Sequence, residues 1–449
     1  MKRIMLSTAG ILISTMAVAA DLPVTKGEAV EYVKVCSAFG SGFFYIPGSD
    51  TCLKIGGEIR ADYRVFGGDG TRNVGTPFFQ LRESGLGRQD DRSAFNTQAR
   101  IWFDARTDTE WGLLRSYFQI NADSHPIDYQ GRTGIYKSNK FTIDKAFIQF
   151  GGLTAGYAHS FFGFYDNEYG DTIWAPYYAE SSTVNLLAYT AEFGSGFKAT
   201  LSIEDGRDHR YNNFSGAENG LSTLNGIVTS SGQAGQQIPD IVGQLRWDLD
   251  WGSLAVQGAL HHSRTADSFS LQNPGDPTVF ELPLNHGSKW GYAVGGTALV
   301  KLPFLDGGHF VVEGQYANAA LEYLGVSNSY LGAAAGDAFM KIRPNGTIAA
   351  GWAKGWSIVA ELGGNITPNL SANLVGSYID TRAEGFQLPQ WEFKSREYTI
   401  AGNLTYTIVK GFSVAGEVAY TNSKYQVLIP AATIKSDAWQ GGVRLRRTF

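Results

Sequence analysis

"CLKIGGEIRADYRV" (residues 52–65) decides the fold. Read every second residue, it separates into two sets. Leu53, Ile55, Gly57, Ile59, Ala61, Tyr63 and Val65 are apolar, whereas Lys54, Gly56, Glu58, Arg60, Asp62 and Arg64 are almost all charged. A period of two belongs to a β-strand, whose successive side chains point to opposite faces. One face of this strand suits an apolar surrounding; the other suits water and ions.

The pattern recurs to the end of the chain. "AFNTQARIWFDAR" (94–106), "GFKATLSIE" (196–204) and "EYTIAGNLTYTI" (397–408) alternate in the same way, and long helical patterns are absent. The quoted stretches exceed the usual soluble strand of about five or six residues and match the roughly 9–11 that a tilted strand needs to cross a bilayer. Sixteen strands are predicted, at 53–66, 94–106, 112–124, 141–150, 153–159, 183–193, 196–205, 239–250, 253–264, 288–302, 308–322, 355–365, 369–381, 396–408, 412–425 and 437–449.

The connections alternate in length. Long ones span 67–93, 125–140, 160–182, 206–238, 265–287, 323–354, 382–395 and 426–436, and between them lie short turns such as "DTEWG", "GG", "WG" and "KG". A sandwich has no reason for this two-beat rhythm, but an up-and-down membrane barrel has short periplasmic turns and long outer loops. The expected fold is therefore all-β: a 16-stranded antiparallel transmembrane β-barrel, greasy outside and wide enough to hold water inside.

The chain opens with "MKRIMLSTAGILISTMAVAA", a basic start, an apolar stretch and small residues at a cleavage site. This reads as a signal peptide over 1–20, cleaved after Ala19 or Ala20. A mouth segment over 21–52 and the barrel over 53–449 would follow. Loss of Lys2 and Arg3 moves the formal charge from −5 to −7, with no basic block, so nucleic acid is not an expected partner. No stretch reaches the roughly 18–20 apolar residues of a spanning helix. The two cysteines, Cys36 and Cys52, are expected to bond in an exported protein; two free thiols are the alternative.

The stretch "AVEYVKVCSAFGSGFFYIPGSDTCLKIGGEIRADY" (29–63) resembles the N-terminal signature of the general porins of α-proteobacteria. The C-terminal "GGVRLRRTF", closed by Phe449, resembles the assembly signal of outer-membrane barrels, with Arg447 breaking its apolar row. The resemblance implies a homotrimer in the outer membrane, both termini periplasmic, inserted by the β-barrel assembly machinery. It implies passive diffusion of small hydrophilic solutes and ions.

In porins the third long loop folds inward, and here that position is 160–182. It carries Asp166, Glu168, Asp171 and Glu180, no Lys or Arg, and many Phe, Tyr and Trp residues. Opposite it, parity puts Arg60, Arg64, Arg100, Arg115 and Arg444 on the ionic face, with Arg60, Arg100 and Arg444 near mid-height. Acids facing arginines across water make a transverse field that biases ion passage. An ordinary solvated loop, and arginines that only pair with Glu58, Asp62 and Asp104, are the plainer alternatives.

No catalytic constellation is present. G-x-S-x-G, H-E-x-x-H and C-x-x-C are all missing, and no cofactor or metal is expected. His159, Ser160 and Asp166 are close in sequence, which is not triad geometry. Besides general diffusion, a channel selective for sugars or carboxylates and a soluble exported β-protein remain open.

Overall fold

The computed structural model describes residues 34–68, 92–124, 139–165, 172–180, 182–210, 228–229, 234–272, 279–283, 287–329, 336–343, 345, 347–387, 390–426 and 433–449. The segment 1–33, with the expected signal peptide, lies outside the described residues. Sixteen antiparallel strands build the wall: β1 (Cys52–Gly67), β2 (Ser93–Thr109), β3 (Gly112–Ser124), β4 (Lys140–Phe150), β5 (Leu153–His159), β6 (Thr183–Glu192), β7 (Phe197–Glu204), β8 (Asp240–Leu249), β9 (Gly252–Arg264), β10 (Ser288–Lys301), β11 (Asp306–Asn318), β12 (Ile348–Thr367), β13 (Leu370–Gln387), β14 (Gln390–Val409), β15 (Phe412–Gln426) and β16 (Thr433–Thr448). Each pairs with the next, and β16 pairs back onto β1 from Glu58↔Thr448 to Gly67↔Trp439. Closure leaves no edge strand, the condition for a sheet in lipid.

The alternation now has a geometric meaning. Outward positions carry Ile59, Ile101, Leu201, Val256, Leu374 and Val443, all exposed, while the interleaved Glu58, Asp62, Arg64 and Asp104 are buried inside. Exposed aromatics bracket this apolar band. Trp111, Phe193, Trp247 and Trp251 stand at the short-turn end, and Phe95, Phe141, Trp290 and Trp439 at the other. Such girdles mark the two interfaces of a bilayer.

All sixteen strands lie where the alternation predicts them, but some ends differ. β12 starts at Ile348 rather than 355, β13 runs on to Gln387, and β14 starts at Gln390. Their outer ends pair with one another, as at Ala383↔Phe393, and the short strand Ala338–Ile342 pairs onto β12. Beyond the membrane both faces meet polar surroundings, so backbone pairing continues without an apolar/polar alternation to announce it. In the other direction β11 stops at Asn318, because Ala319 takes a left-handed φ of 53° and turns the chain inward.

At the short-turn mouth Phe44–Tyr45 pairs with Cys52 and Leu53 of β1, and Cys36 and Cys52 form a disulfide with Cα atoms 6.0 Å apart. Phe43, 4% exposed, tucks inside the mouth with the Arg106 guanidinium 4.9 Å from its ring. Phe449 ends the chain beside this mouth, its N–H donating to the Gly57 carbonyl at 3.0 Å.

Candidate functional site

The first cluster sits where β16, β1 and β2 meet. Glu58 accepts from Arg446 at 2.8 Å, contacts Arg60, and lies 3.5 Å from Arg100. Asp62 is gripped by two nitrogens of Arg444, each at 2.7 Å. These four arginines thus crowd around two carboxylates, leaving an excess of positive charge on this wall. Guanidinium groups hold that charge at any ordinary pH. Arg64 donates to Gln440 and lies over the rings of Phe66 and Trp174, 5.0 and 5.6 Å from their centres.

Arg115 does not join this group. It forms a separate cluster nearer the short turns, where it and Arg106 each bind Asp104 through two nitrogens. Arg115 also stacks on Tyr117 and Phe147. A cavity of about 940 Å³ opens here, lined by Arg115, Lys145, Thr154 and Arg246 with Phe161 and Phe164 from the loop above.

The described parts of the loop 160–182 lie against the inner wall. Phe162, Phe164, Tyr165, Trp174 and Tyr178 are all buried. One wall carboxylate after another receives a loop donor. Glu204 on β7 accepts the Phe161 N–H at 3.1 Å, Glu361 on β12 the Tyr165 hydroxyl at 2.6 Å, and Glu397 on β14 the Tyr178 hydroxyl at 2.6 Å. Glu417 on β15 accepts three successive N–H groups, from Ile173 at 2.6 Å, Trp174 at 2.8 Å and Ala175 at 2.7 Å. Three amides converging on one carboxylate form an anion nest. In exchange, Gln244 donates to the Gly163 carbonyl at 2.9 Å.

Asp166, Glu168 and Asp171 lie outside the described residues. Glu180 is described, and its carboxylate is 1% exposed and 3.2 Å from His209. It therefore faces a buried imidazole rather than the arginines. Burial alone would lower the His209 pKa, but the charges of Glu180 and Glu204 win and hold it well above the usual histidine range.

Sequence reading missed the anchoring acids. Glu361, Glu397 and Glu417 each sit on an inward position of a separate strand, and Glu313 does the same on β11, accepting from the Phe164 and Tyr165 backbone. Their signal was parity: one glutamate on the water side of each of β11, β12, β14 and β15. Arg446 was also missed, although it shares the parity of Arg444.

A sequence model described as the Porin subfamily matches residues 21–441. Porin Omp2b of Brucella suis is 27% identical over 451 aligned residues, covering 99% of this chain and 98% of its own length; the Brucella neotomae Omp2b is 28% identical with the same coverage. Among solved structures, the outer membrane channel DcaP of Acinetobacter baumannii superposes with a TM-score of 0.60 at 13% identity, covering 90% of this chain and 99% of that one, a likeness of fold. A closed sixteen-strand wall with an ionic interior, an apolar outer band and this family match lead to one conclusion: the chain belongs to the porin subfamily, an outer-membrane β-barrel channel for passive diffusion.

Proposed function

We propose that solutes and ions pass between the loop 160–182 and the wall carrying Arg60, Arg64, Arg100 and Arg444, with Arg115 guarding the periplasmic approach. In this reading Asp166, Glu168 and Asp171 supply the opposing negative charge, and Glu180 holds the loop in place. The observation that carries it is the four-arginine cluster around Glu58 and Asp62 on the water side of the strands that close the barrel. Charge focused on the wall of a narrow wet passage acts on every ion that crosses.

The unit in the membrane is a homotrimer in this reading, embedded in outer-membrane lipid. Residues 1–20 are removed as a signal peptide, 21–52 form a periplasmic mouth element ahead of the barrel at 53–449, and Phe449 marks the chain for the barrel assembly machinery. Solutes are small, hydrophilic and not chemically altered.

Liposome swelling with sugars of graded size tests the transport mode. General diffusion predicts a smooth fall of rate with size. Saturable competition between solutes would instead favour a selective channel for sugars or carboxylates, with the loop aromatics as its track.

A further inference from the structure

A second segment also lies inside the barrel. After β11 the Ala319 N–H donates to the Ala353 carbonyl at 2.8 Å. Its own carbonyl presses on Gly291, where a Cβ would sit 2.1 Å away. The chain then makes two short 3₁₀ turns, Leu321–Leu324 and Val326–Asn328. Ala320, Leu321, Tyr323, Leu324 and Val326 are all fully buried.

What buries them is the barrel's own inward face. Val242 on β8, Ala259 on β9, Ala293 on β10, Ala317 on β11, Ala353 on β12 and Ile379 on β13 form one apolar core with the segment. A water-lined wall would carry polar groups at these positions, as β16, β1 and β2 do. Small apolar side chains there make sense only where water is excluded and another surface packs closely.

The segment also backs the loop. Gly325 has φ 72°, and a Cβ on it would come within 2.4 Å of the Ala179 carbonyl, so only glycine admits this approach. Asn328 donates to the Tyr177 carbonyl at 3.1 Å, and the rings of Tyr323 and Phe162 meet at 4.8 Å. Ser329 and Tyr178 share Glu397, at 3.1 and 2.6 Å.

We infer that residues 319–329 are a second, fixed wall of the constriction: at the height of the inserted loop they seal the β8–β13 sector of the lumen and there confine solutes to the sector running from β16 through β1 to β6, above the cavity that opens beside Arg115 and Arg246. This rests on the pathway proposed above and adds that the passage is off-centre, its position set by a segment other than the third loop.

Single cysteines placed in the full-length protein, with the native disulfide kept, test it. Gln98→Cys lies on the inward face of β2 and Ala293→Cys on the sealed sector. A small charged methanethiosulfonate is added to the assembled protein and labelling is followed by mass. Gln98→Cys should react readily and change single-channel conductance. Ala293→Cys should react at least ~100-fold more slowly, because a sealed thiol waits for local opening. Joined to Tyr323→Ala and Leu324→Ala, it should become reactive, and conductance should rise. Should that triple variant not assemble, the two single cysteines still decide. Labelling of Ala293→Cys at the rate of Gln98→Cys would overturn the sealed sector. An unreactive Gln98→Cys in a conducting channel would instead remove the arginine-side pathway itself.

Discussion

Trp174 donates its indole N–H to Asp62 at 3.0 Å. The two residues belong to the inserted loop and to the first strand of the barrel. The same carboxylate is held by Arg444 of the last strand, and that guanidinium lies 5.3 Å from the Trp174 ring centre. One aromatic side chain thus ties the loop to the seam where the barrel closes. It does so by a hydrogen bond and by the attraction of a cation for a π face.

The Glu417 nest is the stronger tether, and its loss should free this part of the loop. Glu417→Ala leaves three N–H groups without their acceptor, each worth about 1–3 kcal/mol when buried and unsatisfied. The barrel should still assemble, since its ladders do not use this carboxylate. Single-channel recordings should show larger and noisier conductance. Glu417→Gln, which keeps one acceptor oxygen, should fall between. Quiet wild-type traces from Glu417→Ala would show that the nest does not hold the loop.

The arginine wall should set ion preference. Replacing Arg60 and Arg100 by Gln removes two charges from a cluster whose acids, Glu58 and Asp62, stay in place. The zero-current potential across a planar bilayer under a salt gradient should move toward cations. The shift should shrink near 1 M salt, where the screening length falls to roughly 3 Å. An unchanged potential at low salt would place the selective charges elsewhere.

Much of this wall could be read from the chain before any coordinates. The alternation at 52–65 assigned Arg60 and Ile59 to opposite faces because lipid and water impose a period of two. The two-beat loop lengths assigned direction. What could not be read was which inward charges meet across the lumen. Glu417 and Trp174 are 243 residues apart in sequence, and their contact depends on the path of a loop that no periodicity constrains. The same holds for Leu321 to Val326: alternation predicts a strand to 322 and an outer loop from 323, whereas these residues leave the wall and form a plug core. Arg115 was legible in both respects: parity gives its face, and its place close to the short turn before Gly112 puts it lower than Arg60.

The outer face gives a third test. Ile59 is 50% and Ile101 40% exposed on the apolar band. A lysine at a lipid-facing midplane position costs about 2–4 kcal/mol. Ile59→Lys and Ile101→Lys should therefore lower the temperature at which the folded barrel loses its fast mobility on unheated gels. Gln98→Lys, on the water side of the same strand pair, should not. Equal heat stability of all three would invert the face assignment.

The Cys36–Cys52 bridge closes a loop of 16 residues in sequence separation. In the chain-entropy picture a loop of this length contributes about 3 kcal/mol. Replacing both cysteines by Ser should loosen the mouth segment around Phe43 while sparing the sixteen-strand ladder. Faster proteolysis at 34–51 with an unchanged barrel melting temperature is the expected result. A barrel that no longer assembles would show that the bridge is needed by the wall as well.

The last prediction is a pH dependence of the loop cluster. His209 is fully buried between Glu180 on the loop and Glu204 at the end of β7, 3.2 and 2.8 Å away, with its ring stacked 4.3 Å from that of Tyr323. Its folded pKa is raised, as the site geometry requires. Glu322, in the first 3₁₀ turn, is pushed from near 4.5 up to about 8, by burial first and then by the charge of Glu180. Both groups therefore hold a proton when folded that they would release when unfolded. Their contribution is complete at acidic pH. For Glu322 it fades between about pH 4.5 and 8, and for His209 it fades from about 6.5 upward. Heat stability in detergent should accordingly fall as pH rises from 5 to 9. Glu322→Gln cannot ionise, so its decline over that range should be shallower than that of the wild type. His209→Gln should lose most at pH 6, where the imidazolium is present and Glu180 and Glu204 would be left facing each other without it. If the wild type and Glu322→Gln decline in parallel, the cluster does not carry the pH response.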